Sequence, residues 1–161
     1  MPDLHPCLWF DHEAAEAAAF YVSVFPRSKV IRTTRYGPAA AKASGRPEGS
    51  VLTVEFELDG NRVMALNGGP GIPHSQAISM CVPCKDQAEI DHYWNALSAG
   101  GREDHCGWLR DRFGVSWQVF PERVMAMHAD LDPSVRERVM AAMLTMRKFD
   151  VAAINRAYAG R

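Results

Sequence analysis

Between Ser50 and Leu58 the chain alternates. Val51, Thr53, Glu55 and Glu57 fall on one face, and Leu52, Val54, Phe56 and Leu58 on the other. This two-residue period predicts a strand with one buried side. Asp59-Gly60 follows, a dipeptide suited to a tight hairpin, and Arg62 to Asn67 returns as the partner strand. Upstream, Leu4 to Phe10 reads as a short apolar strand and Lys29 to Tyr36 as a second, rich in β-branched residues. Between these two, His12 to Val24 is alanine-rich and helical, with Asp11 as candidate N-cap and Pro26 as its stop. Ala15, Ala18, Val22 and Phe25 recur at helical spacing and are expected to face a sheet. Residues 37–49 show no apolar period and read as a mobile loop despite their alanines. The first half is therefore β-α-β-β-β.

Gly68 to Pro73 breaks the pattern as a linker, and Ser75 to Val82 opens a new strand. Asp86 with Glu89 three residues on is an N-terminal helix signature. Ile90, Tyr93, Trp94 and Leu97 trace an apolar stripe that Gly100-Gly101 ends. Strands are expected at Arg102 to Cys106, Trp108 to Arg112 and Val115 to Phe120, with a turn at Phe113-Gly114. In the last strand Val115, Trp117 and Val119 point one way, and Ser116, Gln118 and Phe120 the other. The amide of Gln118, mid-strand and beside Phe120, suggests that this second face lines a cavity. The second half repeats β-α-β-β-β. Helices follow: Val124 to Ala129, one capped by Asp132-Pro133 with Val135, Val139, Ala142, Met143 and Met146 on its apolar face, and one capped by Asp150. The divisions drawn from these patterns are residues 1–68, 69–121 and 122–161.

Composition narrows the function. Of 161 residues, 47% are apolar and 23% charged, which suits a globular domain with a sizeable core. A formal net charge of −1 gives no field that would favour nucleic acid or an anionic membrane, so neither is expected as a partner. No apolar run reaches membrane-spanning length, and Met-Pro-Asp-Leu-His lacks the features of a secretory leader, so a cytoplasmic location is expected. The four cysteines read as reduced thiols.

Seven stretches in order carry a resemblance: Pro6-Cys-Leu-Trp-Phe, Phe20-Tyr-Val-Ser-Val-Phe-Pro, Glu55-Phe-Glu-Leu-Asp-Gly, Ala65-Leu-Asn-Gly-Gly-Pro, Tyr93-Trp-Asn-Ala-Leu, Gly100-Gly, and the block from Cys106 to Pro121. With the doubled module, they make the chain resemble the PhnB-like family, also called demethylubiquinone methyltransferase-like. That family belongs to the vicinal oxygen chelate superfamily of glyoxalases, bleomycin-resistance proteins and dioxygenases. The resemblance implies an α+β protein of two βαβββ modules. Their curved mixed sheets would close around a cavity, usually completed in a homodimer, with the C-terminal helices covering the sheet or the dimer contact.

Superfamily enzymes commonly hold one divalent ion on inward-facing His and Glu side chains. The matching positions here fall near Trp9, Asn67, Ser79 and Gln118, none a strong ligand, and Gln118 stands where a catalytic glutamate would be expected. No metal and no other cofactor is therefore expected. S-adenosylmethionine chemistry is rejected despite the family name, because the only glycine-rich stretch, Asn67 to Gly71, contains Pro70 and leads to a strand rather than a helix. Cys81-Val-Pro-Cys84 precedes a helix in the manner of a redox dithiol, but the surrounding topology is wrong for one, and small apolar residues at a strand end are the plainer reading. His105-Cys106 is poorly arranged as a base and nucleophile if both lie on one strand, where neighbours face apart. Arg110 and Arg112 read as solvated strand residues that could instead anchor an anionic group. The candidate cavity set is Trp9, Asn67, Ser79, Cys106, Trp108, Gln118 and Phe120. It suits a small planar or apolar molecule held without a metal, and leaves open whether any reaction follows. The alternatives are a metal-dependent isomerase, lyase or dioxygenase and a non-catalytic dimeric interaction module.

Overall fold

Asp59 and Gly60 both take left-handed backbone angles, φ +48° and +82°, so two residues reverse the chain between β3 (Val51–Leu58) and β4 (Asn61–Asn67). Leu58 pairs directly with Asn61 across that hairpin. Such a turn matches the natural twist of antiparallel strands, which is why Asp-Gly announces it. On its outer sides the hairpin gains β2 (Lys29–Arg35), antiparallel to β3, and β1 (Cys7–Phe10), parallel to β4. The sheet order is β1-β4-β3-β2. A helix, α1 (Ala14–Val24), lies against β3 and β4.

The computed structural model describes residues 4–160 as two units, which divide between His74 and Ser75. The second repeats the topology of the first. Its strands β5 (Met80–Cys84), β6 (Arg102–Glu103), β7 (Trp108–Arg110) and β8 (Ser116–Pro121) take the order β5-β8-β7-β6, again with the first and last strands parallel. The helix α3 (Gln87–Ser98) packs on β8, β7 and β5 through buried Ile90, Trp94 and Leu97. This is a mixed α+β architecture of two four-stranded sheets, as the doubled pattern predicts.

Several sequence expectations need correcting. Residues 37–49 contain a helix, α2 (Pro38–Ser44), rather than only loop. Its ends are well marked: Pro38 occupies the first turn, and Gly45, at φ +71°, returns its N–H to the Ala41 carbonyl. Arg46 then ties the segment back to Asp11, through both the Asp11 carbonyl at 2.6 Å and its carboxylate. Asp11 is therefore not the cap of α1, and the guanidinium beside it holds its carboxyl below the usual range. The N-terminal residue of α1 is served from a strand instead, by Asn67. The buried stripe of α1 is Ala14, Ala17, Ala18, Tyr21 and Val24, mostly one position off the expected set. Alanine repeats carry little phase, and Tyr21 decides it.

In the second unit the first strand begins at Met80, not Ser75. Pro83 can sit inside it because β5 is an edge strand, where a missing N–H leaves no ladder bond unmade. The strand expected over Arg102 to Cys106 shortens to two residues, with a turn after it. The capping signals read as expected: Asp86 accepts from Glu89 N, Asp132 from Ser134 N and Asp150 from Ala153 N. The C-terminal helices α4 (Val124–His128), α5 (Pro133–Leu144) and α6 (Val151–Tyr158) belong to this second unit. The link between α5 and α6 supplies two accepting carbonyls: Cys106 N–H donates to Met146 O and Gly107 N–H to Arg147 O, both at 2.8 Å. Phe149, in the same link, is fully buried.

Candidate functional site

Strand alternation sorts the second sheet into two faces. Val82, Cys84, Leu109, Trp117 and Val119 are buried on the α3 side. Ser116, Gln118 and Phe120 point the other way, with Cys81, Pro83, Trp108 and Arg110 from the neighbouring strands. Gln118 is central to this second face, flanked by Cys81 on one side and Trp108 on the other. Its amide nitrogen donates to Ser79 Oγ at 2.8 Å and lies 3.8 Å from Cys81 Sγ. Four predicted site residues, Ser79, Trp108, Gln118 and Phe120, are thus brought to one surface. A groove of about 370 Å³ runs beside it, lined by Gln76, Asp104, His105 and Trp108. The Asp104 carboxyl is held below its usual range, chiefly by the His105 backbone N–H and then by Gln76.

Cys106 is not part of that surface. It takes φ +55° in the turn before β7, and its thiol reaches the Met143 carbonyl at 3.6 Å, toward the C-terminal helices. His105 and Cys106 lie in a turn rather than on a strand, so the opposite-face alternation expected of them does not apply. In the first unit, Trp9 is half-buried on the face away from α1. The indole N–H donates to Gly69 O at 2.8 Å, and the ring lies over Gly68, where a Cβ would fall 2.2 Å from it. Asn67 is on the opposite face, paired in register with buried Phe10. Its Oδ1 accepts from Ala14 N at 2.8 Å and its Nδ2 donates to Val51 O at 3.1 Å, so both ends of the amide are engaged by backbone. Asn67 caps α1 from across the sheet.

These residues do not fit a resident metal. An indole N–H has no lone pair to give, the Asn67 amide is committed to backbone, and Ser79 with Gln118 supplies a hydroxyl and an amide, both neutral. Among the described residues, no three His, Cys, Asp or Glu side chains cluster as a metal site.

The cysteine pair separates by strand alternation: Cys81 is exposed, whereas Cys84 is buried on the α3 side. Burial, helped by Glu89, Asp86 and Glu122, pushes the Cys84 thiol up to about 12. The thiolate is the reactive form, so Cys84 stays inert at neutral pH. Iodoacetamide at pH 8, followed by peptide mass spectrometry, should alkylate Cys81 within minutes and leave Cys84 unmodified in the native protein. Equal labelling of the two would contradict the assigned faces.

Two four-stranded mixed sheets, each pairing its first strand in parallel with its last, define an α+β protein built from a repeated module. The chain belongs to the PhnB-like family described as 3-demethylubiquinone-9 3-methyltransferase, whose profile matches residues 2–120. The PhnB protein of Bacillus cereus is 28% identical, with a TM-score of 0.65 over 74% of this chain and 99% of its own. Protein PA1353 of Pseudomonas aeruginosa shares the fold at 20% identity, with a TM-score of 0.61 over 75% of this chain and 98% of its own. The search of curated proteins gave no match. The family match ends before the helical extension, which the second unit holds through residues 106 and 107.

Proposed function

We propose that the β7–β8 face binds a small planar or apolar molecule without a metal, with Trp108, Gln118, Phe120 and Ser79 as its contacts. The observation that carries the reading is the pairing of Trp108 with Gln118 in register. An aromatic plane beside an amide whose nitrogen is steadied by Ser79 leaves the Gln118 Oε1 to meet a donor on the ligand. The family's printed name would suggest methyl transfer. Against it, Gly68 is packed on Trp9 and the Gly69 carbonyl is taken by the indole, so this glycine-rich stretch offers no cradle for a nucleoside. The proposal includes a homodimer, which exposed Leu131, Leu144 and Met125 on the extension favour.

The test is a fragment screen by saturation-transfer NMR on the wild-type protein, repeated with Trp108→Ala and Gln118→Leu. Planar hits should lose their signal in both variants. Hits that persist in both, or a screen that returns none, would refute the reading. In parallel, elemental mass spectrometry of untagged protein purified without chelators should find well under one divalent ion per chain. A stoichiometric ion would install the metal-dependent enzyme in place of this proposal.

A further inference from the structure

Arg110 is the polar residue of this face that the fold leaves unsatisfied. It sits opposite Ser116 in the β7–β8 register, one row from the Trp108–Gln118 pair and on the same side of the sheet. Diagonal neighbours of this kind stand about 7–8 Å apart, within reach of a long side chain. The side chain is half-buried, and its Nε–H is sealed from solvent with no hydrogen-bond acceptor. Nor does the guanidinium form an ion pair with any described carboxylate. The carboxylates close to it in sequence are committed elsewhere. Asp111 points to the other face and receives the Phe113 and Val115 amides and the Trp117 indole. Glu103 receives the Trp94 indole, and Asp104 holds Gln76, Arg102 and the His105 amide. Arg112, the other candidate cation, is exposed and stacks on Phe113, 4.9 Å from its ring centre. A half-buried guanidinium with no partner in its own fold is a costly feature to keep, and a planar anion meeting its outer nitrogens is the group that best offsets it.

We infer that Arg110 is the anion anchor of the β7–β8 face, so that the small molecule it takes is a carboxylate whose planar body lies toward Trp108 and whose polar edge meets Gln118. This rests on the reading of that face as a ligand surface. Arginine suits the task because its fork offers two parallel N–H bonds to one carboxylate, which a lysine cannot reproduce.

The experiment compares benzoate with benzamide, which have the same ring and nearly the same shape but differ in charge. Binding to the wild-type chain is read by NMR from the Trp108 indole and the Arg110 Nε–H signals. Benzoate should bind about tenfold more tightly than benzamide and move the Nε–H signal. In Arg110→Met the preference should vanish while benzamide binding persists, and Arg110→Lys should recover only part of it. Arg110→Met should also melt no lower than wild type, since it removes a half-buried charge without a partner. If both probes bind equally, or the preference survives in Arg110→Met, the anchor is refuted while the ligand surface stands. A marked loss of stability in Arg110→Met would equally refute it, by revealing a structural partner for the guanidinium. If neither probe disturbs Trp108, both readings fall together.

Discussion

Gly107→Ala is expected to be among the most damaging single-methyl changes in this chain. Gly107 has φ +77°, and a Cβ there would lie 2.5 Å from the Val119 carbonyl and 2.5 Å from the Phe149 ring. Its own carbonyl accepts Val119 N, and its N–H binds Arg147 O, each at 2.8 Å, so the backbone cannot slide away without breaking one of them. Left-handed strain and overpacking together suggest a loss of about 3–5 kcal/mol. For a chain of this length that is a fall in melting temperature of about 10 °C. The effect should concentrate on the extension: trypsin should cut after Arg147 and Lys148 faster than in wild type. Gly49→Ala is the control, because Gly49 has φ +79° but open space where the methyl would go. It should cost only about 1–2 kcal/mol. If the two variants melt alike, packing at Gly107 is not what anchors the extension.

The second large effect is expected at Asp111, which is almost fully buried. One carboxylate oxygen accepts Phe113 N at 2.9 Å and Val115 N at 3.0 Å, while the other accepts the Trp117 indole N–H at 2.8 Å. The Asp111 backbone also closes the turn, with its N–H on Val115 O and its carbonyl on Gly114 N. Asp111→Asn keeps the shape but turns one acceptor into a donor, so an N–H must face another N–H in a dry site. A cost of about 2–4 kcal/mol is expected, and somewhat more for Asp111→Ala, which strands all three donors. Urea denaturation followed by tryptophan emission would measure it. A loss below about 1 kcal/mol for Asp111→Asn would mean that water reaches the turn.

Local chemistry was legible in the sequence and distant pairing was not. Asp59-Gly60, Asp86 with Glu89, Asp132-Pro133 and Asp150 each act within four residues, and each does what its neighbours announce. The face that carries Trp108, Gln118 and Phe120 follows from a period of two, so it could be read directly. Asn67 shows the limit. A polar residue at a strand end looks like a ligand group, yet its partner is the first turn of a helix 53 positions earlier. Asp111 lies within the strand expected over Trp108 to Arg112, and its role is hidden there because the indole it holds lies beyond the turn. Nothing in the sequence separates Arg110 from Arg112; only burial distinguishes the one without a partner from the one stacked on Phe113. The helix over 38–44 reads as loop because it carries no apolar stripe; only its ends, Gly37-Pro38 and Gly45, mark it.

The pairing of first strand with last also fixes a timetable for synthesis. Cys7 finds its partner only when Met64 has been made, so β1 must wait, unpaired, for nearly the whole first unit to emerge from the ribosome. Once Asn67 is out, that sheet can close while the second unit is still being translated. The second sheet then waits in turn, from Met80 until Trp117 emerges. Its tether for the extension becomes available only after Arg147. The nascent chain should therefore gain protection from protease in two steps, the first well before the last codon is read.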